Sequence, residues 1–301
     1  MGRQTAILER IFNMKIAIVT DSTAYLTAEE VTENNINVIP IPFILDGEVF
    51  QEGVSISNSE FYERLAQSKS FPSTSQPSAG ETVELYEKLR DAGYDTVIAI
   101  HLASTISGYV ENVAALGDEI EGMHVYAYDS KITVRLMGAL VIKAAQLANA
   151  GKEAAEIIAT LDELQASMDE YLIVDDLQNL VRGGRLSNAS AVIGSLLKVK
   201  PVLTFDDESD YIVPFEKVRS MKKAMARVEE LFEQGRAKAT YPLQATVYHT
   251  HAHEAGQAWR EKIQAANPDM KIDFAEIGPV VGVHLGAGAL ALAWMRDINS
   301  L

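Results

Sequence analysis

Two short stretches concentrate hydroxyl side chains in a way that suits anion chemistry. Residues 71–80 read FPSTSQPSAG, with Ser73, Thr74 and Ser75 between Pro72 and Pro77, and Ser78 just beyond. Residues 101–108 read HLASTISG, with Ser104 and Ser107 ahead of a glycine. Proline fixes its own backbone angle, so the first row of hydroxyls is held in place rather than loose. Helices are expected to start directly after both stretches. Helix N-termini present unsatisfied N–H groups and a partial positive charge, which together with hydroxyls make a seat for a carboxylate or phosphate. The plainer alternative is that Ser and Thr only cap those helices. Ser78, ahead of AGETVELY, is best read that way. A third loop, Asp21-Ser22-Thr23, is expected at the same edge.

Two glycine-rich segments add basic side chains. VRGGRLSNAS (181–190) sets Arg182 and Arg185 around Gly183 and Gly184. Glycine lets a ligand approach the backbone and arginine offers a fork for an oxyanion, with Arg185 the more constrained of the two. GPVVGVHLGAGALAL (278–292) places His284 among apolar neighbours, where a core hydrogen bond or a ligand must satisfy its ring. HTHAHE brings His249, His251 and His253 into alternation, which on a strand would put all three on one face. The strand pattern ends near Thr250, however, so no metal site is expected there. No phosphate loop, no G-x-G-x-x-G after a strand and no G-x-S-x-G elbow is present.

The elements that must position these residues follow from hydrophobic periodicity. KIAIVT (15–20), INVIPIPFIL (36–45), TVIAIHLA (96–103) and HVYAYDS (124–130) read as strands. Helices alternate with them, which predicts a parallel sheet covered on both faces. From about residue 170 the pattern changes to strands joined by tight turns, ending in a glycine-rich helix. The expected architecture is an N-terminal parallel-sheet α/β domain over 14–168 and a C-terminal mixed α+β domain over 169–301. A ligand cleft lies between them, and residues 1–13 form an extension. In such sheets ligands bind beyond the carboxyl ends of the strands, where the hydroxyl loops fall.

Bulk properties narrow the function classes. The chain of 301 residues carries a formal net charge of −16 and no cysteine. A surface this acidic disfavours nucleic acid, and no apolar run is long enough to span a membrane. Without cysteine there are no disulfides and no thiolate metal sites, which fits the cytoplasm. Lys217, Arg219, Lys222, Lys223 and Arg227 form one basic cluster, read either as a solvated helix face or as a dock for an anionic partner.

The segments KIAIVTDSTAYL, PSTSQPSAGE, HLASTISGYVENV, LIVDDLQNLVRGGRLSNASAVIGSLLKVKPVLTF, PFEKVRSMKKA and GPVVGVHLGAGALAL resemble, in order, the signature blocks of the DegV family. The resemblance runs from about Met14 to the C-terminus. It implies a two-domain, non-catalytic protein that binds one long-chain fatty acid between its domains, with no other cofactor and no metal. It further implies that the acid's carboxylate is presented to the catalytic subunit of a bacterial fatty acid kinase, which makes acyl phosphate for phospholipid synthesis. Membrane contact would be transient at most. Carried onto this chain, the carboxylate contacts are Thr74, Ser104 and His284, supported by Arg185, with Ser75 and Ser107 as helpers. Lys222 and Lys223 become the expected dock for the kinase, and residues of 189–203 an expected lining for the acyl chain. The sequence departs from the family pattern at Ala103, Tyr109 and Ala287. Two other readings stay open: an enzyme acting on a small anion through Ser104 and His284, and a lipid-sensing regulator.

Overall fold

Strand β1 (Ile16–Asp21) is apolar on both sides because both of its faces are covered. The structure, a computed structural model, describes residues 15–175, 177–186 and 199–301. With β2 (Ile36–Ile39), β6 (Thr96–His101) and β7 (His124–Asp129), β1 forms a fully parallel sheet in the order β2-β1-β6-β7. Ala17, Val19, Val97 and Ala99 pack with residues of helices α3 (Ala79–Asp91) and α4 (Tyr109–Gly117), such as Tyr86 and Val113. Ile18, Ile98 and Ile100 belong to a second cluster with residues of α5 (Val134–Asn149). Buried on two faces, such strands lose polar alternation, as the sequence shows. Ser78 caps α3 in a reciprocal capping box with Glu81.

The run at 36–45 is two strands, not one. Pro40 has no N–H to donate, and the chain leaves the parallel sheet there. It continues as β3 (Pro42–Leu45), the centre of a small antiparallel sheet in the order β4-β3-β5, with β4 at Glu48–Gln51 and β5 at Ser73–Thr74. The hydroxyl row is therefore pinned as an edge strand: Thr74 faces Phe43 in register, and Ser75 N–H donates to the Pro42 carbonyl at 3.0 Å.

The second sheet starts at β8 (Asp169–Ile173), a short way past α6 (Ala154–Gln165). It contains β9 (Lys200–Phe205), β10 (Ile212–Val218), β11 (Leu243–His249), β12 (Ile272–Glu276) and β13 (Leu290–Arg296). Its order is β10-β9-β8-β13-β11-β12, antiparallel except for β11 beside β12. The glycine-rich helix expected at the end is instead a short helix followed by the central strand β13. Ala289, Ala291 and Ala293 turn to the shared core, while Leu290, Leu292 and Trp294 pack with residues of α8 (Met221–Lys238) and α9 (His253–Ala266) on the outer face. Helix α5 lies between the sheets, and one apolar cluster joins Ile18 of the first half to Leu172 and Tyr248 of the second. Residues 1–13 and most of 189–203 lie outside the described residues. Among those described, β9 continues from that segment and sends Phe205 toward the space between the sheets.

Candidate functional site

That space is a cavity of about 450 Å³ beyond the carboxyl end of β6. Thr74, Ser75, Ser104, Ser107, Arg185 and His284 all line it, so the two hydroxyl loops and both glycine-rich segments converge on one place. Leu102, Leu172, Leu180, Phe205 and Ile212 make its walls largely apolar. Its size falls in the range of small-molecule sites.

His284 sits near the end of α10 (Pro279–Leu285). Its Nε2 lies 3.0 Å from Thr74 Oγ1, while its buried Nδ1 has no hydrogen-bond partner. Burial, and then the nearby Arg185 charge, pull the imidazole pKa down to about 4, so the ring is neutral near pH 7. A buried N–H without an acceptor costs more than a bare lone pair. The hydrogen-bond network thus assigns the proton to Nε2, which donates to Thr74 Oγ1 and frees the Thr74 hydroxyl proton to point elsewhere. The unpartnered Nδ1 is where Gly183 comes in: a Cβ there would overlap this nitrogen. Gly183 ends α7 (Gln178–Gly183), and Gly184 follows at φ +70°.

Arg185 is half-buried, and burial lowers its pKa. Its Nη1 donates to the Gly183 carbonyl at 2.6 Å and its Nε to the Ile106 carbonyl at 3.2 Å. Among the described residues it has no carboxylate partner, which leaves a cation with spare donors at the cavity. Ser104 N–H donates to Asp129 Oδ1 at 3.2 Å, but its hydroxyl has no described partner. Ser107 Oγ only accepts weakly from Tyr109 N–H at 3.4 Å. Ser75 and Gln76 are exposed, so this part of the cavity wall reaches the surface.

The third hydroxyl loop is spent on internal bonds. Asp21 accepts from Thr23 N–H, Thr23 Oγ1 and Leu102 N–H, and pairs with His101 Nδ1 at 2.9 Å. Ser22 donates to Glu52 at 2.6 Å. This bonded knot occupies the crevice where β1 and β6 diverge, so the cavity forms beside the topological switch point rather than in it. Tyr109, one of the departures from the family pattern, is buried against the His101 ring and shares a 2.9 Å hydrogen bond with Thr82.

Two buried glutamates gave no sequence signal, one beside the site and one in its wall. Glu52 follows β4, and its buried carboxylate accepts from Ser22, from Tyr25 Oη and from the Val280 N–H at the start of α10. Burial pushes its pKa up to about 7. Glu170 of β8 lines the cavity itself. Of the three alternating histidines, His249 and His253 pack edge to face at 5.5 Å, whereas His251 stacks on Tyr62. Among the described residues no group of His, Asp or Glu is arranged to hold a metal ion, and no helix is long and apolar enough to cross a membrane. Lys222 and Lys223 are exposed at the first turn of α8, a turn that contains no acidic residue.

Comparison with known proteins gives a consistent family. A family model described as "Uncharacterised protein, DegV family" matches residues 15–297. A DegV domain-containing protein of Listeria innocua is 44% identical over 282 residues, covering 94% of this chain and 99% of the relative. The fold matches the crystal structure of DegV, a fatty acid binding protein from Bacillus subtilis, with a TM-score of 0.87 and 41% identity over 95% of this chain and all of that one. It matches a fatty acid binding DegV family protein from Streptococcus agalactiae with a TM-score of 0.88 and 34% identity, again over 95% of this chain and all of the other. A match of this extent, over both sheets and the cavity between them, makes the chain a member of the DegV family.

Proposed function

We propose that this protein binds one long-chain fatty acid, seats its carboxylate against Thr74, Ser104 and Arg185, and presents that carboxylate to a separate kinase subunit. One observation carries the reading: free polar donors and an apolar wall share a single cavity. Among the described residues the Ser104 hydroxyl and the Thr74 hydroxyl proton are unclaimed, and Arg185 has donors to spare. His284 orients Thr74 from behind and faces the same cavity. Hydroxyls and a single guanidinium hold a carboxylate by hydrogen bonds without burying it in a dense ion-pair cage, so an oxygen stays free to attack a phosphoryl group. Burial of the chain contributes about 0.8 kcal/mol per methylene, on the order of 10 kcal/mol in all before ordering costs. Ser75 and Gln76 line the cavity and are exposed, which supports a headgroup near the surface, as presentation to a partner requires. The fatty acid binding recorded in the names of two relatives supports the ligand class.

In this reading the protein performs no chemistry itself and works in the cytoplasm. A Ser104 nucleophile would need a base, yet His284 Nε2 is engaged with Thr74 and no ring nitrogen bonds Ser104 among the described residues. Lys222 and Lys223 are the proposed kinase dock.

The test is native mass spectrometry of the purified protein followed by lipid extraction. The wild type is expected to carry one fatty acid, and Ser104→Ala and His284→Ala to lose roughly tenfold or more in retention, about 1.4 kcal/mol, with the fold intact. Unchanged lipid content in both variants would sink the site assignment.

A further inference from the structure

The apolar wall of the cavity contains one residue that an ordinary acyl chain cannot satisfy. Glu170 in β8 is only 8% exposed, and its Oε2 has no hydrogen-bond partner. Among the described residues no Lys, Arg or His pairs with it. It lines the cavity beside Leu172 and Phe205. Glu170 and Phe205 also line a second cavity of about 360 Å³, whose other walls are mainly polar and include Lys131, Asp162, Thr204 and Asp210. Glu170 therefore stands where an apolar compartment meets a polar one.

A buried carboxyl without a partner is unfavourable, and a methylene or a double bond offers it nothing. Burial raises the Glu170 pKa to about 8, so near neutral pH it is mainly a carboxylic acid with one donor and one acceptor. An aliphatic hydroxyl is the complementary group, since its oxygen accepts and its proton donates. It serves equally well if the carboxyl ionises, by donating to it.

Building on the fatty-acid reading, we infer that the cavity prefers a long-chain fatty acid bearing a hydroxyl on its chain, and that Glu170 is the residue that selects it. The ligand hydroxyl takes the place beside Oε2, at the boundary with the polar cavity. A chain without oxygen leaves Glu170 unsatisfied and binds less tightly.

The experiment is competitive loading of delipidated protein with stearic acid and a series of monohydroxystearic acids substituted at successive chain positions, all at equal concentration. Bound acids are then extracted and quantified. The wild type is expected to enrich at least one hydroxy acid tenfold or more over stearic acid. Glu170→Leu should bring that ratio to one or below while stearic acid still binds, and Glu170→Gln, which keeps a donor and an acceptor, should retain part of the preference. A thermal melt at or above that of the wild type is expected for Glu170→Leu, because an apolar replacement removes an unsatisfied group. Should Glu170→Leu fail to fold, the wild type and Glu170→Gln still decide the matter. Uptake of stearic acid by the wild type with no preference for any hydroxy acid, or a preference unchanged in Glu170→Leu, overturns this inference and leaves the fatty-acid reading standing. Failure to take up any of the acids overturns both.

Discussion

His284 does its work only in one orientation, and Gly183 is what permits it. A Cβ at position 183 would overlap Nδ1 and come within 3.1 Å of Cε1. The ring is rigid, so it would have to turn, and the 3.0 Å contact of Nε2 with Thr74 would break. Gly183→Ala is therefore expected to cut fatty-acid retention tenfold or more, comparably to His284→Ala. Ring NMR shifts supply a second reading. In the wild type the imidazole should stay neutral until the pH falls to about 4, whereas a ring turned out toward water should titrate closer to 6.5. An unchanged titration together with unchanged retention would refute the packing role. The polar residues of the site were legible because each stands in an odd local setting: Thr74 between prolines, Arg185 after two glycines, His284 in an apolar run. The meaning of Gly183 was not, since it depends on a ring from the far end of the chain. Glu170 was hidden for another reason. A charged residue in DEYLIV looks like the wet side of a strand, and only the second sheet's packing against α5 makes that side a cavity wall.

At the scale of elements, α10 is fixed by two contacts at its N-terminal end and middle. Glu52 accepts from Val280 N–H at 2.8 Å, and Gly282 lies so close to Tyr62 Oη that a Cβ would come within 2.6 Å of it. Tyr62 Oη in turn donates to the Ile277 carbonyl at 2.7 Å. The Glu52 contact makes stability depend on pH. Its pKa is about 7 in the folded protein against 4.5 for the ordinary group, so between these values the folded state holds a proton that the unfolded state has released. Stability from this group accordingly falls as pH rises from about 4.5 to 7 and is flat above. His284 acts in the opposite sense: its folded value of about 4 lies below 6.5, so its contribution is lost as pH falls through that interval. Urea midpoints of Glu52→Gln and wild type should show the wild type losing ground to the variant between pH 5 and 7.5, by on the order of 2 kcal/mol. A constant difference across that range would mean that Glu52 does not titrate there. Sequence periodicity found β1, β6 and β7 readily but missed β13. LALAWMR has the composition of a helix, and its strand character lies in the alternation of small with large side chains rather than polar with apolar. That alternation matters only when two cores of different depth lie on either side.

At the scale of the molecule, Lys222 and Lys223 stand out against a net charge of −16. They are exposed at the first turn of an 18-residue helix, where cations oppose the helix dipole and no acid stands in the same turn. Arg227, by contrast, is occupied by Glu216 and Glu230. If the proposed dock is right, Lys222→Glu with Lys223→Glu should reduce acyl-phosphate formation in a reconstituted kinase assay at least tenfold while leaving lipid content unchanged. Equal turnover with the doubly reversed protein would remove this surface from consideration. The division into a parallel and a mixed sheet was readable from the order of strands and helices. The shared core was not, because Ile18 and Tyr248 carry no mark of being neighbours. Strand order also bears on how the protein comes into being. β13 leaves the ribosome after every other strand of its sheet, yet it fills the gap between β8 and β11. While it is still being translated, the nascent second half can have only two separate ladders, β10-β9-β8 and β11-β12, with open edges facing each other. The parallel half can be complete by then. A translational stall ahead of Leu290 would therefore leave the second sheet in two halves, each with a sticky edge.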